Sequence, residues 1–395
     1  MKKPKVIFTN SELQTAKDCS EKWRLRYGIG YRTRYLNLTQ LRGKLIHILL
    51  DSHYAGIPWG EACTAAGNYA AAASVRLSDE DKVDVFTLLI KCEKIVGRYR
   101  EHYRPLSDWS LDSIAVDPIT KTPLIEAEFM TPIYTPNGKA SKILMLTGKI
   151  DLIIKDPVEE NACWICDHKT RETIKDSAAD RMKLDQQLRL YAWGAQMYWG
   201  FKVKGSIYNL VKSDLPDDPK VNKNGIPSLA KCDTTVDALI ACLIRQDEII
   251  CGMSPAERKA QKLSKEGVDF DAYAPEIQRL SRIHWFKRFY QEYSDADLSK
   301  VQLEIYQIAL ETHQRRFFPM NDAACDHWGG CEYRSICMGL SPEDTFTLAE
   351  KKHDEVSMDM TKFHAPLGKP YVVEVSDHYR LGMQSMIDQV NVITI

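Results

Sequence analysis

The feature of this chain that most restricts its fold is a change of hydrophobic period near residue 125. Upstream, apolar side chains recur at helical spacing in 10–54 and 65–105. Downstream, three segments alternate apolar and polar residues as strands do, with Asp156-Pro157 in the turn between the second and third; they are 126–134, 142–155 and 162–170. This order predicts an antiparallel three-stranded meander.

Helical spacing returns at 177–199 and stops at Gly200, and 203–210 is strand-like again. The sequence therefore predicts an α/β core in which a mixed central sheet is flanked by helices.

Four regions are expected along the chain. Residues 1–211 form the core, with an N-terminal helical region and a helical insertion at about 55–110. Residues 212–315 form a mainly helical side lobe: an exposed loop at 212–230 precedes helices at 235–253 and 275–315. A cysteine-bearing segment at 316–340 packs back on Cys19, and 341–395 is a tail with one short strand candidate at 370–375 and no assigned role.

Composition favours a globular protein. The 395 residues are 44% hydrophobic, and no segment is an apolar run long enough for a membrane span or a secretory signal. The odd count of 11 cysteines argues against a disulfide framework and for thiols that are buried or bound to metal. We therefore expect no membrane association and a cytoplasmic location, in the host cytoplasm if the protein is viral.

Charge is unevenly distributed, although the formal net charge is only -1. Residues 1–44 contain 11 Lys and Arg against 3 Asp and Glu, an excess of +8, interleaved with Trp23, Tyr27, Tyr31 and Tyr35. This mixture suits a phosphate backbone whose bases stack on aromatic rings. A solvated basic surface with its aromatic rings in the core explains the pattern equally well.

The strand 162–170 carries a candidate catalytic pair. Alternation places Asp167 and Lys169 on one face, and the meander brings Asp151 of the preceding strand across from Asp167. Two close carboxylates repel unless a cation lies between them, which favours a divalent ion with oxygen ligands such as Mg²⁺. An ion pair beside a strand-end Asp is the plain structural alternative.

Two helices carry further candidates. His47 lies on an apolar helical face one turn after Gly43, and a lone histidine there is more often a core residue than a ligand. Gln187 and Tyr191 are four residues apart on one face of the later helix, where they can hold a nucleotide or Lys169.

The ordered series Gly43-x3-His47, Gly148-x2-Asp151, Asp167-His168-Lys169-Thr170 and Gln187-x3-Tyr191 resembles the motifs of the RecB-like branch of the PD-(D/E)xK nucleases. The resemblance implies a restriction-endonuclease-like core. It also implies that His47, Asp151, Asp167 and the main-chain carbonyl of His168 bind Mg²⁺ or Mn²⁺, that Lys169 is catalytic with Asp151 and Asp167, and that Gln187 and Tyr191 support the site. Glu126 or Glu128 is a further acidic candidate, and the sequence does not choose between them.

Four cysteines bracket these motifs. Cys325, Cys331 and Cys337 follow them and Cys19 precedes them, which resembles the iron–sulfur branch of the same nucleases, including the CRISPR-associated exonucleases and the nuclease domain of AddB. The resemblance implies a structural [4Fe-4S] cluster. In those families two residues commonly separate the first two trailing cysteines, whereas five do here. Zn²⁺, with His327 as an additional ligand candidate, is the less favoured alternative because these four cysteines include no paired Cys-x2-Cys knuckle.

Cys163 and Cys166 have the spacing of a redox pair. Both lie in a predicted strand, and a redox thiol needs a helix N-terminus that lowers its pKa, so burial is expected instead.

The resemblance implies a DNA nuclease, an exonuclease that prefers single strands and processes DNA ends in recombination, repair or replication. Its expected partners are DNA that is single-stranded or has free ends and a helicase or recombination protein. A catalytically silent DNA-end-binding module and an RNA-directed nuclease are the alternatives.

Overall fold

The computed structural model describes residues 5–33, 36–104, 109, 111–222, 226–228, 232–263, 267–326, 330–339 and 346–348. The proposed strand at 370–375, Tyr35 and His327 lie outside these residues.

A mixed six-stranded sheet forms the centre of the molecule, as predicted. The predicted meander is confirmed, because β3 and β5 both pair antiparallel with β4. Two contacts are parallel, β1 with β4 and β5 with β6, and β7 closes the far edge antiparallel to β6. The strands are β1 (Val6–Thr9), β3 (Ile125–Tyr134), β4 (Ala140–Lys155), β5 (Ala162–Arg171), β6 (Lys202–Lys212) and β7 (Phe286–Glu292).

Helices cover both faces of the sheet. On one face, apolar side chains of three helices pack on even-numbered residues of β5 such as Cys166. These helices are α3 (Leu38–Tyr54), α4 (Trp59–Ser74) and α6 (Val85–Tyr103), and the single turn α5 (Asp79–Lys82) lies between the last two. On the other face, α8 (Gln186–Trp199) and α12 (Asp295–Gln314) pack on odd-numbered residues such as Ile165. The period-two alternation of β5 thus divides two separate cores.

Two predicted helical stretches are wrong in part. The helix expected at 177–199 is two helices, α7 (Ala178–Leu184) and α8, because Asp185 has an extended conformation and caps α8. Within 275–315, β7 interrupts the expected helix. The run Phe286-Lys287-Arg288-Phe289-Tyr290 has β-forming aromatic residues, and pairing with β6 outweighs any helical tendency.

The stretch 212–315 contributes to the central sheet through β7 and to its cover through α12. Three helices also belong to this stretch, of which α9 confirms the helix predicted at 235–253; they are α9 (Val236–Cys251), α10 (Pro255–Ala260) and α11 (Ala274–Leu280). Within the described residues, α9 and α11 share a small core of their own around Leu243 and Tyr273.

The N-terminal region is helical as far as Ile29, in α1 (Asn10–Asp18), α2 (Ser20–Trp23) and a π-helical stretch, Arg24–Ile29. A short strand that the sequence did not predict, β2 (Tyr31–Thr33), pairs with β8 (Phe346–Leu348). Together with α13 (Arg334–Cys337), these elements bring the two ends of the described chain together. No helix of the described residues is long and apolar enough to cross a bilayer.

Candidate active site

The side chains of Asp167 and Lys169 meet on one face of β5, as the alternation predicts. Lys169 Nζ lies 3.0 Å from each carboxylate oxygen of Asp167. Asp167 is only 4% exposed and Lys169 is partly buried, and both side chains contact Gln187 of α8. The ion pair that was the structural alternative to a catalytic pair is therefore present. The residues around it determine whether it can also bind a metal ion.

The first turn of α8 holds this pair in place. Gln187 accepts a hydrogen bond from Lys169 Nζ at 3.4 Å and donates one to Asp167 Oδ1 at 3.3 Å. Asp185 fixes the start of α8, because its carboxylate accepts from the backbone N–H groups of Gln187 and Leu188. The break in the predicted helix therefore aims Gln187 at the Asp167–Lys169 pair.

Asp151 joins the site from β4. Its Oδ2 accepts a 2.7 Å hydrogen bond from the backbone N–H of His168, the residue between Asp167 and Lys169. Continuing the β4–β5 register by one residue from Leu152–Cys166 also sets Asp151 across from Asp167, as the sequence predicts.

His47 and Glu126 complete a group of possible metal ligands with Asp151. The three side chains each offer a ligand atom, and these atoms lie within 4.8 Å of one another. His47 Nδ1 is 3.6 Å from Asp151 Oδ2. Glu126 is the acidic residue that the sequence left undecided, whereas Glu128 is exposed. Asp167 is not part of this closest group.

A local irregularity of the sheet explains how Glu126 and Asp151 converge. Glu126 lies opposite Asp151 in the β3–β4 ladder and has a left-handed backbone with φ +51°. Ile150 and Leu152, which flank Asp151, pack in different core clusters, although residues two apart in a regular strand face the same side. Such irregularities re-aim side chains, and this one turns two carboxylates toward His47 of α3.

Burial keeps the carboxyl groups of the site from ionising freely. It raises the pKa of Asp167 to about 7; the nearby Lys169 ammonium lowers this pKa and the Asp151 carboxylate raises it. Burial also raises the pKa of Asp151, against the opposing effect of His47. Burial opposes the charge on Lys169, but Asp167 outweighs it and raises the lysine pKa. The site therefore holds a charged lysine beside acids that need a cation to ionise fully.

Asp51 is a site residue that the sequence analysis missed. It lies one helical turn after His47 on α3, and its Oδ1 is buried with no hydrogen-bond partner among the described atoms. Burial raises its pKa to about 8, with further increases from the charges of Glu126 and Asp151. The spacing His47-x3-Asp51 was the available signal, because it places both side chains on one helical face.

Tyr191 contacts the site through packing. It lies one turn after Gln187 on α8, hydrogen-bonds with it, and sets its ring edge-on to Phe129 at a centroid distance of 6.0 Å. Gly148 makes room here, since a Cβ atom there would lie 2.6 Å from the Phe129 ring and 2.9 Å from Tyr191. The Gly148-x2-Asp151 motif thus allows α8 to approach β4.

A buried polar network supports the other face of β5. The His168 ring stacks on Tyr54, and its Nδ1 lies 2.8 Å from Asn209 Nδ2. Asn209 also donates a 2.8 Å hydrogen bond to the Tyr99 hydroxyl. Arg288 of β7 donates to the same hydroxyl, also at 2.8 Å. Burial keeps the His168 pKa well below its usual range, so a neutral ring accepts from Asn209.

The residues present fit a hard divalent cation. Asp167 Oδ2 is buried and has no hydrogen bond of good geometry despite its proximity to Lys169, so it has free acceptor capacity. The nearby donors are carboxylate oxygens and one imidazole, which Mg²⁺ and Mn²⁺ accept. This donor set offers no thiolate.

The four expected cysteines gather at the junction of the chain ends. The charges of Cys331, Cys19 and Cys325 all add to the effect of burial in raising the pKa of Cys337. No three cysteine sulfurs in the described part of the chain lie within 4.8 Å of one another. Cys163 and Cys166 are both buried in β5, and burial raises the pKa of Cys163 to about 12.

The polar contacts around these cysteines also join the two ends. Ser20 Oγ donates to the carbonyl of Pro319 at 2.9 Å, and Asn321 donates to the carbonyl of Asp18 at 2.7 Å. Trp23, part of the basic aromatic region, stacks on Phe318. Part of that region therefore packs on the cysteine segment.

The family model described as the PD-(D/E)XK nuclease superfamily matches residues 8–338. The chain belongs to the PD-(D/E)XK nuclease superfamily. The matched range includes every site residue above and all four gathered cysteines, so the nuclease fold extends well beyond the motif region at 43–191. No curated protein matches the sequence of this nuclease.

Proposed function

We propose that this nuclease hydrolyses DNA phosphodiester bonds with Mg²⁺ or Mn²⁺ held by His47, Asp151, Asp167 and the main-chain carbonyl of His168. The observation that carries the proposal is the hydrogen bond between the backbone of His168 and Asp151, which fixes one acid beside the Asp167–Lys169 pair. Glu126 and Asp51 place two further carboxyl groups at the same site.

A bound divalent cation would supply positive charge at the scissile phosphate and make water a better nucleophile. The chain's own residues do the rest. Lys169 is charged, is held by Gln187, and can donate to a phosphate oxygen or to the attacking water as charge develops. The Asp151 carboxylate stays oriented because it accepts a hydrogen bond from the backbone N–H of His168 in β5. Tyr191 holds Gln187 and keeps that side of the site packed.

We assign the substrate as DNA ends, with single strands preferred, and a role in recombination, repair or replication beside a helicase or recombination partner. This assignment comes from the RecB-like resemblance of the motif series. The complete set of His47, Asp151, Asp167 and Lys169 argues against a silent binding module. An RNA substrate is a second outcome that a substrate panel distinguishes.

The same proposal includes a structural [4Fe-4S] cluster on Cys19, Cys325, Cys331 and Cys337. A tetrahedral zinc site with Zn–S bonds of about 2.3 Å requires sulfurs about 3.8 Å apart, whereas a cube binds each thiolate through a separate iron. The position of Cys19 ahead of the nuclease motifs, and the lack of a Cys-x2-Cys pair among these four cysteines, favour the cube. A cytoplasmic location, where thiols stay reduced, fits this assignment.

The catalytic proposal is tested with wild type, Asp151→Asn, Lys169→Gln and the exposed control Lys139→Gln on end-labelled single-stranded and duplex DNA and RNA. We expect metal-dependent cleavage by wild type and control, and a loss of about 100-fold or more for each site variant. Binding of DNA should survive in Lys169→Gln. Equal cleavage by all four proteins, or tight binding with no turnover in any divalent metal, would overturn it.

A further inference from the structure

A cleft next to the catalytic strand has the features of a phosphate subsite. It has a volume of about 540 Å³ and is lined by Arg171, Arg181, Leu184, Asp185 and Tyr208. None of these residues belongs to the proposed catalytic set.

Arg171 continues the line of catalytic side chains. Asp167, Lys169 and Arg171 alternate along β5, so they share a face, and Arg171 follows Lys169 at about 6.6 Å along the strand. The step is comparable with that between neighbouring phosphates of an extended nucleic-acid strand. The backbone of Arg171 is fixed, because its carbonyl oxygen accepts a 2.8 Å hydrogen bond from the N–H of Ser213.

The far wall of the cleft is equally well supported. Arg181 and Leu184 project from α7, whose Met182 is buried against Ile174 and Tyr208 in a small core cluster. Leu184 is 81% exposed although it is a large apolar side chain. An exposed leucine in a cleft lined by two arginines suits a sugar or base whose phosphate contacts the arginines.

The cleft is electrostatically suited to a phosphodiester. Its two arginines outnumber its one acid, Asp185. The carboxylate of Asp185 is occupied, because two backbone N–H groups of α8 and the Tyr208 hydroxyl donate to it. One of these N–H groups belongs to Gln187, whose side chain contacts Asp167 and Lys169. The cleft therefore lies beside the Asp167–Lys169 pair.

We propose that Arg171 and Arg181 bind the phosphodiester next to the scissile one in the nucleic-acid strand, with Leu184 against the intervening nucleotide. The inference rests on the proposed nuclease function and adds a substrate-positioning subsite to it. Arginine suits this role because its planar fork binds two phosphate oxygens at once.

The test combines variants with a chemical scan of the substrate. The substrates are oligonucleotides in which single phosphates are replaced by neutral methylphosphonates. They are given to wild type, Arg171→Ala, Arg171→Lys and Arg181→Ala. The control is Arg98→Ala, which changes an exposed arginine on the opposite face of the sheet. We expect one position flanking the mapped cut to slow wild type on the order of tenfold, and to slow Arg171→Ala no further. Arg171→Lys should recover part of the loss, and Arg98→Ala should behave as wild type.

Binding measured in chelator gives a second readout that does not need turnover. Each lost phosphate contact should lower the slope of log affinity against log salt by about 0.7 for a single strand. The subsite is wrong if every methylphosphonate position affects wild type and Arg171→Ala equally and the salt slopes are identical. If wild type fails to cleave, the nuclease proposal fails, while the binding scan still decides the subsite.

Discussion

The backbone N–H of His168 and the carboxylate of Asp151 are joined by a 2.7 Å hydrogen bond between two strands. Because His168 separates Asp167 from Lys169, the same backbone unit sets the positions of three charged side chains. The ring of His168 points into the opposite core, where a polar network holds it. The geometry of the proposed site therefore depends on residues on both faces of the sheet.

The network behind β5 is expected to be essential for stability. Tyr99→Phe removes the hydroxyl that accepts from Asn209 and Arg288, and leaves both donors buried with one partner fewer. We expect unfolding in urea to require about 1–3 kcal/mol less free energy. The exposed Tyr69→Phe is the matched control and should leave stability unchanged. An unaltered urea midpoint for Tyr99→Phe would show that the network contributes nothing.

The acidic cluster predicts how pH and metal affect stability. Folding raises the pKa of Asp51 to about 8 and that of Asp167 to about 7, from about 3.9 in the unfolded chain. Between these values the folded state holds more protons, so metal-free stability should fall as pH rises from 4 to 8, by up to about 1.4 kcal/mol per pH unit for each group. Mg²⁺ should therefore raise the melting temperature more at pH 8 than at pH 6.

Asp51→Asn is the variant that isolates this effect. This substitution removes one carboxyl group whose pKa is raised by folding. The metal-free variant should therefore have a higher melting temperature than wild type at pH 8, and its melting temperature should fall less steeply as pH rises. Melting curves with and without chelator at several pH values measure it. Parallel pH dependence in wild type and variant would contradict the assignment of Asp51 to the cluster.

Two glycines should respond oppositely to alanine. A Cβ at Gly194 of α8 would lie 2.3 Å from the Phe129 ring, whereas one at Gly97 of α6 would meet nothing within 4 Å. Gly194→Ala should destabilise the protein by about 1–3 kcal/mol through overpacking, and Gly97→Ala should stabilise it by up to about 1 kcal/mol through helix propensity. Chemical denaturation checks both, and Phe129→Leu should relieve the Gly194→Ala defect.

The cysteine assignment predicts a coloured protein. Purified without oxygen, wild type should show visible absorption and about four iron atoms per chain. Cys19→Ser should lose iron and unfold at lower temperature, while Cys63→Ser, which lies on α4 away from the chain ends, should keep both. Colourless wild type with stoichiometric zinc would reverse the choice of cofactor.

Much of the core could be predicted because its signals are local. The strands β3, β4 and β5 alternate strictly enough to give their boundaries within two residues, and the α/β class follows from their order. Asp167 and Lys169 share a face by strand geometry alone, and the structure brings them together. The motif series supplied the remaining candidates, whose roles as ligands stay predictions.

What the sequence could not give depends on contacts between distant segments. β7 was missed because its partner β6 lies some 80 residues earlier, and the choice of Glu126 depends on a backbone irregularity that alternation cannot reveal. Asp51 was missed because the acids that act on it, Glu126 and Asp151, lie on β3 and β4, far along the chain. The break at Asp185 was hidden because helical spacing continues on both sides of it.

The joining of Cys19 to a segment more than 300 residues downstream has a consequence for biosynthesis. The first thiol leaves the ribosome long before its three companions, so the cluster proposed on these cysteines could not be completed before Cys337 has been translated. A chain that stops within the central sheet would lack the segment on which its N-terminal helices pack. Assembly of the proposed cluster would therefore come after synthesis of the strands of the central sheet.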